Sequence, residues 1–190
     1  MVIVPIYKTT EQSKLIDEKV FIIKKQLEEK GISVKYDNRD TYKPGWKFAE
    51  YEFKGVPVRI AIGPRDLEQG TVEVARRDTK EKSTYQVIDI AIKIEHLLSQ
   101  IQDNIYKKAL NFRDANTINV DSWDEFMRVL DDKGGFIMAH WDGTLDTELR
   151  IKELSKATIR CIPLNNRMES GKCILTGKPS SQRVLFARAY

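Results

Sequence analysis

Residues 43–82, KPGWKFAEYEFKGVPVRIAIGPRDLEQGTVEVARRDTKEK, decide the fold. Pro44-Gly45 and Gly63-Pro64 each mark a sharp change of chain direction. Between them Val58, Ile60 and Ile62 alternate with Pro57, Arg59 and Ala61, the period of a strand with one mostly apolar face. Arg59 falls on the other face. Residues 71–77 read as a second strand, ending in Arg76-Arg77. Cations at strand ends beside turns are poor core material and good ligands for a phosphate or a base edge.

Working outward, residues 2–6 are almost all apolar and read as a buried strand. Thr9-x-x-Gln12 is a capping box opening a helix on which Leu15, Ile16, Val20, Ile23 and Leu27 recur, and Gly31 stops it. Residues 32–36 form the next strand, so a right-handed βαβ unit is the default. A short helix over 47–53 and strands over 56–62, 71–77 and 83–86 follow. Ile88, Ala91, Ile92, Glu95, Leu98, Ile101 and Ile105 then carry a long helix to about Phe112. The expected fold class is α/β, a five-stranded mixed sheet with flanking helices.

Residues 113–119 are polar and aperiodic, which places the boundary between domains 1–115 and 116–190. In the second, Ser122-x-x-Glu125 opens a short helix through Phe126, Val129 and Leu130 that ends at Gly134-Gly135. A strand over 136–141, a helix over 147–155, a strand over 158–164, a loop and a final strand over 183–190 make a small α+β domain. Its expected core is Phe136, Met138, Trp141, Ile151, Leu154, Ile159, Ile162, Val184 and Phe186.

Composition narrows the function classes. The 190 residues are 41% hydrophobic and 32% charged, which fits a globular chain rather than a disordered one. The net charge of +4 arises from 32 bases interspersed with 28 acids, so a polyanion partner is permitted but not demanded. No apolar run is long enough to span a bilayer. Two cysteines, Cys161 and Cys173, make no disulfide framework, and a reducing, cytoplasmic setting is expected. His96 has no Ser or Cys partner at a recognisable spacing, and neither G-x-x-x-x-G-K-[ST] nor G-x-G-x-x-G occurs. No catalytic residue is expected in this chain.

Four pieces in order, PGWKF, E-x-KGVPVR, IGPRDLEQG and VARRDT, with the ending VLFARAY, resemble prolyl-tRNA synthetases of the eukaryote-like architecture. The likeness covers the anticodon-binding domain and the C-terminal zinc-binding-like domain. It implies the class II synthetase anticodon-binding fold. It also implies a parent ligase that activates proline with ATP and Mg and transfers it to tRNA(Pro) in the cytoplasm. Because residues 1–6 enter a buried strand at once, this chain reads as a piece of a longer one whose preceding part holds the catalytic core. It is then inactive alone, binds the tRNA(Pro) anticodon stem-loop, and expects a homodimer through that missing core. The alternatives are an accessory, non-catalytic anticodon-domain homologue, or a sister synthetase for threonine, histidine or glycine, whose members lack the VLFARAY tail.

Anticodon bases are unstacked and are read by aromatic stacking and by hydrogen bonds to their Watson–Crick edges. Proline anticodons share two guanines, which offer O6 as acceptor and N1–H and N2–H as donors. The resemblance implies Glu52 as acceptor for a guanine edge and Arg59, Arg65, Arg77 and Lys82 as base or phosphate donors. Lys80 is the alternative to Lys82. Phe48, one helical turn before Glu52, is placed to stack on a base. Without the resemblance, Glu52 reads as a surface residue paired with Lys47 or Lys54, and Phe48 as core. One of Arg76 and Arg77 is expected to pair with Asp78 or Glu73.

Relatives with a zinc module carry a Cys-x4-Cys pair and a later Cys-x-Cys pair. The matching positions here are Asp142, Thr147, Cys173 and Leu175, one thiolate where tetrahedral zinc needs four ligands. Zinc is expected to be absent. Cys161 is expected to be a buried small hydrophobe and His140 a satisfied packing residue.

Overall fold

The computed structural model describes residues 1–189. The expectation for Tyr190, a terminal carboxylate reaching back toward a catalytic domain, lies outside the described residues. The elements in order are β1 (Val2–Pro5), α1 (Thr10–Glu29), β2 (Lys35–Tyr36), α2 (Pro44–Phe53), β3 (Val58–Ile62), α3 (Pro64–Gln69), β4 (Thr71–Arg76), β5 (Lys82–Gln86) and α4 (Ile90–Ala115). There follow β6 (Thr117–Asn119), α5 (Trp123–Asp132), β7 (Phe136–His140), α6 (Leu145–Ser155), β8 (Ala157–Cys161), β9 (Gly171–Lys172), β10 (Pro179–Ser180) and β11 (Arg183–Arg188). Two compact units divide between Lys107 and Lys108, inside α4.

In the first unit the sheet order is β2-β1-β3-β4-β5. β2, β1 and β3 run parallel and β3, β4 and β5 antiparallel, so the expected five-stranded mixed sheet is observed. Strand alternation sorts its two faces. Ile3, Val58, Ile60, Ile62, Val72 and Val74 meet Ile16, Val20, Ile23 and Leu27 of α1 and Ile90, Ile94, Leu97 and Ile101 of α4. Val2 and Val4 pack on the opposite face against Tyr51 and Phe48 of α2 and Val56 just after it. Thr9 caps α1 by accepting from the Gln12 N–H, as its spacing predicts.

Three expectations for this unit change. The Gly63-Pro64 stretch opens the six-residue α3, with Pro64 at its first turn and Asp66 accepting from the Gly63 N–H at 2.8 Å. The apolar residues assigned to the long helix straddle two faces, since Ile88, Ile92 and Ile105 are exposed and Ile90, Ile94, Leu97 and Ile101 form the buried stripe. Leu15 is likewise exposed. The aperiodic stretch 113–119 continues α4 to Ala115 and then enters β6, which pairs in parallel with β7.

The second unit is a four-stranded sheet in the order β6-β7-β11-β8, with α5 and α6 contributing Phe126, Leu130 and Ile151 to its core. Phe126 stacks on Trp123 and meets Phe186 edge to face, at 5.5 and 5.3 Å between ring centroids. The expected parity of β7 is off by one: Ile137 and Ala139 are fully buried, whereas Phe136 is exposed. Leu154, Ile162 and Cys161, expected inside, are also exposed. His140 is buried with Nδ1 3.1 Å from Ser180 Oγ. The chain at Gly171 crosses its ring so closely that a Cβ there would fall 2.2 Å from His140 Nε2. Arg183 fastens the loop between β8 and β11. Its Nε and Nη2 donate to Glu169 at 3.0 Å, and Nη1 donates to the Val120 carbonyl at 2.9 Å.

Candidate nucleic-acid interface

Strand register builds the site. Arg59 of β3 pairs with Ala75 of β4, and Ala75 with Lys82 of β5, so the three lie in one row across the sheet. Their side chains share the α2 face, because Arg59 is also in register with Val2. Ala75 is the small residue of the row. It leaves a floor between two cations, and the cleft above it, about 130 Å³, is lined by Phe48, Glu52, Arg59, Arg77, Lys80 and Lys82 among others.

Arg59 forms the base. Its guanidinium carbon lies 3.6 Å from the centroid of the Phe48 ring, a cation–π contact that holds both groups. The side chain is 13% exposed and Nη1 stands 3.5 Å from Glu73 Oε1. At that separation the contact is a long ion pair at the outer limit of hydrogen bonding, and Nη1 is buried with no other polar partner. Burial lowers the Arg59 pKa and Glu73 partly restores it, but a guanidinium stays charged. Glu73 also lies 3.4 Å from Lys82 Nζ, so one carboxylate balances both cations of the row.

The rim comes from α2 and from the turn between β4 and β5. Glu52 pairs with Lys80, not with Lys47 or Lys54. Lys80 occupies the left-handed backbone region at φ 65°, a conformation a lysine adopts at some cost. Arg77 spends its Nε on the Glu52 carbonyl at 2.9 Å, closing the C-terminal end of α2. Arg76 is the member of the arginine pair that takes Asp78, through Nε at 2.8 Å and Nη2 at 2.6 Å, and Asn104 of α4 adds a third bond at 2.7 Å. The Arg76 hydrogen bonds hold the Asp78 carboxyl down at about 2. The turn that carries Lys80 and Lys82 is thereby tied to a helix.

The other anchor of α2 is Asp37, 1% exposed just after β2. It accepts two bonds from the Arg39 side chain, at 2.8 and 2.7 Å, and one from Tyr51 Oη at 3.1 Å. The buried Lys47 donates to the Asp37 carbonyl at 3.0 Å. These bonds drive the Asp37 pKa far below the carboxylate range, and burial together with Asp37 pushes Tyr51 up to about 12.

Of the residues singled out in the sequence, Phe48, Glu52, Arg59, Arg77 and Lys82 meet at this cleft, and so does Lys80. Arg65 does not. It is exposed on α3, past the carboxyl end of β3, whereas Arg59 lies near the amino end of that strand. Glu73, Ala75 and Tyr51 were missed. For Glu73 the signal was present: it is two residues from Ala75 on β4 and so shares the face of Arg59.

Residues 1–104 match the family model described as "Anticodon binding domain", and residues 123–190 match the model "Prolyl-tRNA synthetase, C-terminal". The chain belongs to the anticodon-binding domain family. The resemblance read from PGWKF to VLFARAY is thus borne out. Among curated relatives of this family member is a protein named proline–tRNA ligase from Porphyromonas gingivalis, 62% identical over 190 residues, all of this chain and 38% of that protein. Proline–tRNA ligases from Cytophaga hutchinsonii and Christiangramia forsetii are 60% and 54% identical over the same 190 residues, 39% of each. The chain therefore spans about two fifths of the length of the curated relatives it matches.

The four positions that the resemblance sets against zinc ligands are Asp142, Thr147, Cys173 and Leu175. Asp142 Oδ2 accepts from Thr147 Oγ1 at 2.9 Å and Thr176 Oγ1 at 2.8 Å, and Oδ1 accepts from Thr144 Oγ1 at 2.9 Å. Burial alone would raise the Asp142 pKa, but the hydroxyls of Thr176, Thr144 and Thr147 together hold it below the ordinary value. Cys173 is buried, with its backbone closing a turn onto Lys178 and Gly177. No group of three His, Cys, Asp or Glu side chains converges among the described residues. One carboxylate already accepting from three hydroxyls and a single thiol among the four positions do not fit tetrahedral zinc.

Proposed function

We propose that this chain is the anticodon-reading portion of a proline–tRNA ligase, and that the cleft over Ala75 takes an unstacked guanine of the tRNA(Pro) anticodon. The carrying observation is the Arg59 guanidinium at the base of an open cleft, with Nη1 buried and held only by the long ion pair to Glu73. A buried donor without a close acceptor costs about 1–3 kcal/mol. A guanine O6 or a phosphate oxygen would remove that cost. Glu52 at the rim supplies an acceptor for N1–H and N2–H once it exchanges Lys80 for the base, and Phe48 supplies an apolar ring against the stack. Lys82 and the free end of Arg77 serve the backbone. Arg65, away from the cleft, is assigned no part in base reading.

The ligase activity, its use of ATP and Mg, its dimerisation and its cytoplasmic location belong to this proposal and to the rest of the parent protein. The hydrogen-bonded Asp142 cluster supports a second unit that folds without zinc. No helix among the described residues is long and apolar enough to cross a membrane.

Charging by the intact ligase tests the reading. Arg59→Ala and Glu52→Ala should each reduce kcat/KM for tRNA(Pro) by about tenfold or more, the size of a lost bidentate base contact. ATP–pyrophosphate exchange with proline should be unchanged. Unaltered charging in both variants would remove the base-reading role.

A further inference from the structure

On the opposite flank of α2 from the reading cleft, Tyr42 and Trp46 stack with ring centroids 3.9 Å apart and planes inclined by only 13°. Neither belongs to a core cluster, and they remain 41% and 47% exposed. Arg39 lies over both rings, at 5.0 and 5.7 Å, and is itself held by Asp37 and Glu50. The pair is thus fixed in orientation while its surface stays open. Beside it a cleft of about 200 Å³ opens where β1 and β2 end, lined by Pro5, Tyr7, Tyr42, Lys43 and Lys47, with Asp40 its acid. The carboxyl ends of parallel strands are where α/β sheets leave a crevice. Lys43 is exposed and makes no ion pair among the described residues.

We infer that the Tyr42–Trp46 pair and Lys43 form a second RNA contact, which holds another unstacked base and its phosphate from the same stem-loop. The inference rests on the reading of the chain as an anticodon binder. An aromatic face beside a free cation is the chemistry that holds single-stranded nucleic acid without regard to sequence. Geometry favours the same RNA molecule over a separate partner. Phe48 and Glu52 face the reading cleft, Trp46 stands two residues before Phe48 and about 200° round the same helix, and a helix with its side chains is about 10–12 Å across. A strand of a few nucleotides engaged on one flank of α2 reaches the other. The second contact adds affinity and fixes the direction of the strand, and the first supplies discrimination.

The test is fluorescence anisotropy of a labelled proline anticodon stem-loop with the 190-residue chain over a range of salt. Trp46→Ala and Tyr42→Ala should each weaken binding by about fivefold to a hundredfold, and Trp46→Phe, which keeps a stacking face, should stay within about threefold of wild type. Lys43→Ala should flatten the plot of log K against log salt by about 0.7–1. None should alter the preference for guanine over other bases. Thermal melts check that each variant folds. If Arg59→Ala weakens binding while the Trp46, Tyr42 and Lys43 variants match wild type, the second contact is overturned and the reading cleft stands. If the wild-type chain fails to bind the stem-loop, both are overturned.

Discussion

At the scale of single residues, the cleft is defined by where charge is balanced and where it is not. Asp78 shows the balanced case. Arg76 and Asn104 hold it, and its pKa falls to about 2 from an ordinary 3.8. A carboxylate depressed on folding stabilises the native state above its unfolded value and loses that contribution as pH falls through the folded one. Asp37 is shifted in the same direction by Arg39. The first unit should therefore hold its stability down to about pH 4 and lose it progressively toward pH 2, which urea unfolding at stepped pH would register. Asp78→Asn should flatten that dependence and lower stability at neutral pH. Arg59 shows the unbalanced case, with Glu73 shared between it and Lys82 and Nη1 held only by that long ion pair.

At the scale of elements, α2 is the part that matters, because it carries Phe48 and Glu52 and packs Tyr51 and Phe48 on Val2 and Val4 of the sheet. Its seat is the buried group of Asp37, Lys47 and Tyr51. Removing one partner of a buried ion pair costs about 3–5 kcal/mol, since the other charge stays behind. Asp37→Ala should lower the stability of the first unit by about that amount, seen as a reduced urea midpoint, and should weaken RNA binding through the displaced helix. How much of this was legible in the sequence depended on contrast. In β3 a charged residue alternates with aliphatics, so the face of Arg59 could be read directly. In β7 both alternating sets are apolar, Phe136 and Met138 against Ile137 and Ala139, and parity alone could not choose. Helix α4 carries aliphatics on more than one face, which blurred its buried stripe. The Lys80–Glu52 pair spans 28 residues and depends on the β4–β5 turn, so no local pattern announces it.

At the scale of the whole molecule, the proposal that the second unit folds without zinc rests on Asp142, which gathers the hydroxyls of Thr144, Thr147 and Thr176. Thermal melting should be indifferent to a strong chelator. Asp142→Ala, which leaves three hydroxyls without their shared acceptor, should lower the melting temperature of the second unit by several degrees, in line with about 1–3 kcal/mol for lost buried hydrogen bonds. A melt that falls on chelation would mean that a metal contributes after all. The sheet of the first unit meanwhile lines up Arg59, Ala75 and Lys82 by register, so the floor of the cleft follows from strand pairing and its rim from α2 and the β4–β5 turn.

In the proposed reading, Glu52 and Arg59 grip one guanine side by side along its Watson–Crick edge, Arg59 at O6 and Glu52 at N1–H and N2–H. The most direct measurement is stem-loop binding in which a proline-anticodon guanine is replaced by inosine, which lacks only the N2 amino group. Wild-type protein should bind the inosine stem-loop about tenfold more weakly. That penalty should disappear in Glu52→Ala, which has no side-chain acceptor, and persist in Lys82→Ala. An inosine penalty of equal size in wild type and Glu52→Ala would contradict the account.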